Sequence, residues 1–232
     1  DEIQRLKLSA TASTLQKMFD KRFEWTVADI RRLVASVVVP DQPTLQILSS
    51  QIKRIQNANL EPQKEWKGLF ELIGCRSLFD TRETNSFHLV DRDGSKHFPD
   101  FSCAVGSTVI WERLVWIAEL KKKLTDSEWR NAVVQAFSRI VEIFDHQPDR
   151  EIVPSVVLDR EYVSFVRVER GKGREFQLFV SERLRLFEST NGDANFSEHG
   201  QLLRQFLFLQ PDKCGFVEVT LPCILGTRMM SM

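Results

Sequence analysis

The sequence predicts an α/β domain with a helical N-terminal extension. Three observations carry that expectation. Apolar residues recur at three- and four-residue steps through the first 73 positions. Short extended segments follow between Phe87 and Lys121. A long amphipathic stripe then precedes an apolar run at Ile152–Leu158.

Taken in order, Leu6–Phe19 reads as a first helix. A second follows Asp29, with Ile30, Leu33, Val34 and Val37 on one stripe, and ends at Val39-Pro40. Pro43 opens a third, with Leu45, Leu48, Ile52 and Ile55 as its apolar face. Pro62 breaks the chain before a fourth near Trp66–Ile73, with Trp66, Leu69, Phe70 and Ile73 inward.

Phe87–Asp91, His97–Val105 and Val109–Lys121 read as a three-stranded meander, turning at Asp93-Gly94 and Gly106-Ser107. The strongest helix is capped by Thr125 or Asp126, with Glu128 in its first turn. Trp129, Ala132, Val133, Ala136, Phe137, Ile140, Val141 and Phe144 form its stripe, and Pro148 stops it. Ile152–Leu158 is apolar enough to be a strand buried on both faces. Tyr162–Glu169 and Glu175–Val180 flank a hairpin at Gly171-Lys172-Gly173. A helix over Glu198–Leu209 and a strand over Phe216–Leu221 complete the chain. The organisation expected is an extension over 1–60 and a main domain over 61–232.

Composition narrows the classes. Lys+Arg and Asp+Glu both number 32, which excludes a histone-like polycation but leaves room for a local basic patch. With 232 residues and 42% apolar content, a full core needs no disulfide or metal staple. Apolar runs fall short of a membrane span, so no membrane partner is expected. The chain opens on Asp1 without a secretory signal and reads as an excised domain. Cys75, Cys103, Cys214 and Cys223 form no CxxC pair, which argues against structural zinc and for reduced, partly buried thiols. Against 17 Phe there is one tyrosine, Tyr162, available for any phenolic role.

One constellation carries chemistry. Pro99-Asp100 lies in the second meander strand, and Glu119-Leu120-Lys121 ends the third. Alternation puts Glu119 and Lys121 on one face, and a neighbouring strand can set Asp100 beside Glu119. Adjacent carboxylates repel unless a divalent cation sits between them. Lys121 would then orient a water or neutralise a phosphate, a combination suited to phosphodiester hydrolysis.

This pattern resembles the PD-(D/E)xK nuclease superfamily, with its restriction-endonuclease-like fold. The resemblance covers about residues 64–158 and implies a core of helix, three-strand meander, helix and strand. It implies magnesium, replaceable by manganese, held by Asp100, Glu119 and the carbonyl of Leu120, with Lys121 catalytic. It also implies an extra acid on the first core helix, with Glu71 as the candidate and Glu65 behind it. Phe137, Arg139, Ile143-Phe144 and Gln147-Pro148-Asp149-Arg150 add a narrower likeness to the nuclease-like domain of crinkler-type effectors and fungal-specific kinase-associated proteins. Gln135 matches a glutamine found on this helix in RecB-type members, but Arg139 stands where they carry tyrosine. Both residues lie opposite the apolar stripe, facing either a groove or solvent.

Weaker features remain open. Lys121-Lys122-Lys123 is either a phosphate contact or a solvated strand end. Arg167, Arg170, Lys172 and Arg174 are either a backbone grip or an ordinary charged turn. His97 reads as structural. The leading expectation is a magnesium-dependent DNA endonuclease, with RNA left open. The resemblance implies an effector acting in a host nucleus and an adjoining kinase domain. The alternative is a catalytically silent module of the same fold that binds nucleic acid or protein and regulates that kinase. Residues 1–60 are a candidate homodimer surface.

Overall fold

The computed structural model describes residues 17–58, 62–75, 78–80, 99–106, 109–171 and 175–216. Most of the expected Leu6–Phe19 helix lies outside them. So do the Phe87–Asp91 strand, the Asp93-Gly94 turn, His97, Lys172, Arg174, Cys223 and all but the first residue of the Phe216–Leu221 strand.

The described chain enters through residues 17–20, which are helical, and strand β1 (Phe23–Glu24). Helix α1 (Val27–Val34) begins ahead of Asp29 because Thr26 and Asp29 cap it reciprocally. Asp29 N donates to Thr26 Oγ1 at 3.2 Å, and Thr26 N donates to Asp29 Oδ2 at 3.3 Å. Helix α2 (Leu45–Asn57) buries Leu48, Ile52 and Ile55 as its spacing requires, while Leu45 stays 42% exposed. Helix α3 (Pro62–Leu72) buries Trp66, Leu69 and Phe70, and Ile73 is buried just beyond it.

A mixed sheet forms the centre. Its strands are β1, β2 (Leu78–Asp80), β3 (Phe101–Ala104), β4 (Leu114–Leu120), β5 (Ile152–Leu158), β6 (Tyr162–Arg170), β7 (Phe176–Val180) and β8 (Leu184–Arg185). Among the described residues the order is β1-β7-β6-β5-β4-β3-β2, with β8 also paired to β6. β2, β3 and β4 are successive antiparallel neighbours. Helix α4 (Asp126–His146) crosses from β4 to β5, which run parallel. Thr125 and Glu128 cap α4 reciprocally, as the sequence indicates.

β4 starts later than its apolar run suggests, because Trp111–Arg113 forms a 3-10 turn. Side chains hold the carbonyls at this bend. Gln147 Nε2 donates to Trp111 O at 2.7 Å and to Leu114 O at 2.9 Å. Arg150 donates to Leu114 O at 2.6 Å and also to Val115 O. These bonds satisfy backbone groups where the chain turns into the strand.

Helices cover both sheet faces. On one side α1, α2, α3 and helix α5 (Glu198–Leu207) pack with a hairpin of β9 (Phe187–Thr190) and β10 (Asp193–Phe196). On the other, α4 packs with Trp111 and Phe19. The expected division at residue 60 does not separate two cores. β1 pairs with β7, and Trp25, Ile30 and Leu48 share a core with Trp66, Trp116 and Phe206.

The β9–β10 hairpin adds two strands to those the sequence pattern predicts. Asn191 (φ 55°) and Gly192 (φ 84°) both take left-handed backbone, as a tight two-residue turn demands. Gly200 is needed for a different reason: a Cβ there would lie 2.2 Å from the Leu186 carbonyl oxygen. Among the described residues, no helix is long and apolar enough to cross a membrane.

Candidate active site

The register of β3 and β4 builds the site. Phe101 pairs with Ala118, so the preceding Asp100 comes opposite Glu119. Asp100 is 7% exposed and Glu119 is 3% exposed. Leu120 N donates to Asp100 Oδ2 at 2.8 Å, fixing that carboxylate at the end of β4. Gln63 Nε2, from the first turn of α3, donates to Asp100 O at 3.0 Å. Gln63 was not singled out in the sequence, because an isolated glutamine in a helical turn carries no pattern.

Glu119 and Lys121 share the α4 side of the sheet. Lys121 Nζ lies 3.7 Å from Glu119 Oε2, and Arg139 Nε lies 3.8 Å from Glu119 Oε1. Both are ion-pair distances, too long for hydrogen bonds. Lys121 Nζ does donate to Gln135 Oε1 at 2.7 Å. The structure therefore brings Asp100, Glu119, Leu120, Lys121 and Gln135 together, and adds Arg139. Gln135 and Arg139 face the end of β4 rather than open solvent alone.

Burial is the main force on Glu119, and the Asp100 charge adds to it. Together they push the carboxyl up to about 7, against the pull of Lys121 and Arg139. Its Oε1 is buried without a hydrogen-bond partner among the described residues. Buried polar atoms are normally paired, so this orphan beside a second carboxylate leaves an acceptor open to a ligand. The donors available are two carboxylates and the Leu120 peptide carbonyl. Such hard oxygen donors suit magnesium or manganese completed by water or substrate. Among the described residues, no three His, Cys, Asp or Glu side chains converge as a metal-binding group.

Glu71 is not brought to this site. Gln63 is the α3 residue that reaches Asp100, and Glu71 lies eight residues further on, about 12 Å along the helix axis. Its side chain is exposed. Glu65 is drawn to α2 instead, where Gln51 Nε2 donates to Glu65 O at 2.7 Å.

Other candidates make contacts within the fold. Arg167 pairs with Glu169 at 2.7 Å and stacks on Phe179 and Trp25. Arg170 donates to the Phe144 and Pro148 carbonyls. Both arginines thus make contacts within the sheet and with α4. Gln147 and Arg150 hold the start of β4, so that part of the narrower likeness rests on packing. Lys122 and Lys123 are exposed beside the site. Asp159 anchors the loop that carries them, accepting from Leu124 N at 2.6 Å and from Glu161 N and Tyr162 N at 2.7 Å. Tyr162 is half-buried against the α4-side core. Cys75, Cys103 and Cys214 are buried thiols outside any disulfide, Cys75 donating to the Leu207 carbonyl at 3.5 Å, and burial pushes the Cys214 thiol up to about 12.

Comparison with protein-family models, curated proteins and solved structures gives no match to this chain.

Proposed function

We propose that the chain is a divalent-metal-dependent nuclease of restriction-endonuclease-like architecture, hydrolysing phosphodiester bonds of DNA. The observation that carries this is the pairing of buried Asp100 and Glu119 on adjacent strands, with Lys121 on the Glu119 side. The succession α3, β2, β3, β4, α4, β5 supports the architecture.

In this reading Asp100, Glu119 and the Leu120 carbonyl hold magnesium, or manganese in its place. The ion supplies Lewis acidity toward a phosphate oxygen and a more acidic bound water. Asp100 is positioned by its bond from Leu120 N, so the donor set is preorganised. Lys121 stands next to Glu119, held by Gln135, where an ammonium offsets charge growing on the phosphate. Gln135 is a positioning residue for Lys121.

A second reading has its own observation. Lys121 and Arg139 already offset the two acids, so the site has no formal net charge without a metal. That balance suits a module that keeps the fold and binds nucleic acid or a protein without cutting, as in regulation of an adjoining kinase domain.

Plasmid nicking separates the two. The purified chain is incubated with supercoiled DNA in magnesium, manganese or chelator. Cutting with either metal and none in chelator supports the nuclease. Intact plasmid under all three conditions, with the chain folded and binding no metal, overturns it in favour of the silent module.

A further inference from the structure

Arg139 is left unexplained by a two-acid, one-lysine centre. It projects from α4 with its side chain only 16% exposed. Its Nε and Glu119 Oε1 face each other at 3.8 Å, and both atoms are buried without a hydrogen-bond partner among the described residues. A buried ion pair that serves only stability closes to hydrogen-bond distance and satisfies its remaining polar atoms. This one stays at 3.8 Å and leaves Nε and Oε1 unpaired among the described residues. Lys121 differs, because its ammonium is also engaged by Gln135 at 2.7 Å. Arg139 is therefore the cation less firmly held in the centre.

Charge counting gives the loose contact a consequence. Asp100 and Glu119 are offset by Lys121 and Arg139. Adding a divalent ion to that set leaves two uncompensated positive charges in a mostly buried site, which is costly. An anionic phosphodiester, with one negative charge per phosphate, offsets half of that excess. A guanidinium has the planar donor fork that matches two phosphate oxygens.

Resting on the nuclease reading, we propose that Arg139 exchanges partners: it offsets Glu119 before metal binds, and binds the substrate phosphodiester once the metal takes that carboxylate. The role makes metal and DNA phosphate bind cooperatively, each raising the affinity for the other by the same factor.

The test is calorimetric titration of manganese into the wild type, Arg139→Gln and Arg139→Lys, each alone and with a short phosphorothioate DNA duplex that resists hydrolysis. Melting curves in chelator verify that each variant is folded. The wild type should bind manganese about tenfold more tightly with duplex present, within the usual range of coupling between two sites. Arg139→Gln should bind manganese alone several-fold more tightly than the wild type, since the competing cation is gone, and should lose most of the gain from duplex. Arg139→Lys keeps the charge and should stay near the wild type for manganese alone. If Arg139→Gln binds manganese no better than the wild type and keeps the full gain from duplex, the partner exchange is overturned while the metal centre stands. An Arg139→Lys response equal to that of Arg139→Gln also overturns it. A wild type that ignores manganese with and without duplex overturns both this inference and the nuclease reading.

Discussion

The two ends of β4 each bury a charge, and they treat it in opposite ways. At the start, Arg150 is 2% exposed and donates to the carbonyls of Leu114, Val115, Ile152 and Cys214 and to Gln147 Oε1. Burial lowers its pKa to about 10, which still leaves it charged at neutral pH. At the other end, Glu119 is 3% exposed, with cations at 3.7 and 3.8 Å and one oxygen without a hydrogen bond. A buried charge surrounded by fitted acceptors is a structural staple. One left under-satisfied, beside a like charge and near solvent-reaching lysines, is the pattern of the proposed functional site. The difference lies in the completeness of the partners, since burial is nearly the same.

Substitutions can break that contrast. The largest expected effect is on activity. Glu119→Ala or Asp100→Ala should abolish metal-dependent cutting, and Lys121→Ala should slow it about 10²- to 10³-fold with metal binding kept. Plasmid nicking and manganese calorimetry check these together. Arg150→Met should do the reverse, costing about 3–5 kcal/mol of stability because several buried carbonyls lose their donor. Urea denaturation reads that loss. Reduction of the whole effect to below about 1 kcal/mol would contradict the staple.

Glu119 should also leave a pH signature in metal-free protein. Its folded pKa of about 7 exceeds the ordinary value of 4.5. The unfolded chain therefore releases its proton first, and stability falls as pH rises from about 4.5 to 7. Glu119→Gln removes this penalty. It should be level with the wild type near pH 4.5 and more stable at pH 8, by up to about 3 kcal/mol. Thermal melts in chelator across that range check the sign. The smallest expected effect is at Gln147→Ala, about 1–2 kcal/mol, from the Trp111 and Leu114 carbonyls it leaves. Activity per folded molecule should not change there.

Much of this was legible in the sequence where period and register govern. The α4 stripe, its Thr125 cap and the doubly buried β5 follow from local pattern alone. Asp100, Glu119 and Lys121 were legible because strand alternation and antiparallel pairing leave few ways to arrange them. What was not legible depends on contacts distant in sequence. Gln63 meets Asp100 37 positions away, and nothing around Gln63 signals it. Glu71 was expected from family habit, yet the helix phase sends Trp66, Leu69 and Phe70 inward and leaves Glu71 exposed. The start of β4 was misplaced because its bend depends on Gln147 and Arg150. The β9–β10 hairpin has only a two-residue local signal, Asn191-Gly192, between strands too short to show a period. That the first 60 residues share the main core was not legible, because a two-residue strand, β1, joins the sheet with no periodicity to show.

The most direct measurement of the central claim compares wild type and Glu119→Gln, matched for folding, in cleavage of a labelled DNA duplex over a magnesium titration. The account expects wild-type cleavage to rise with magnesium and vanish in chelator, and Glu119→Gln to stay at background throughout. Equal cleavage by both proteins, or cleavage by the wild type that persists in chelator, would contradict it.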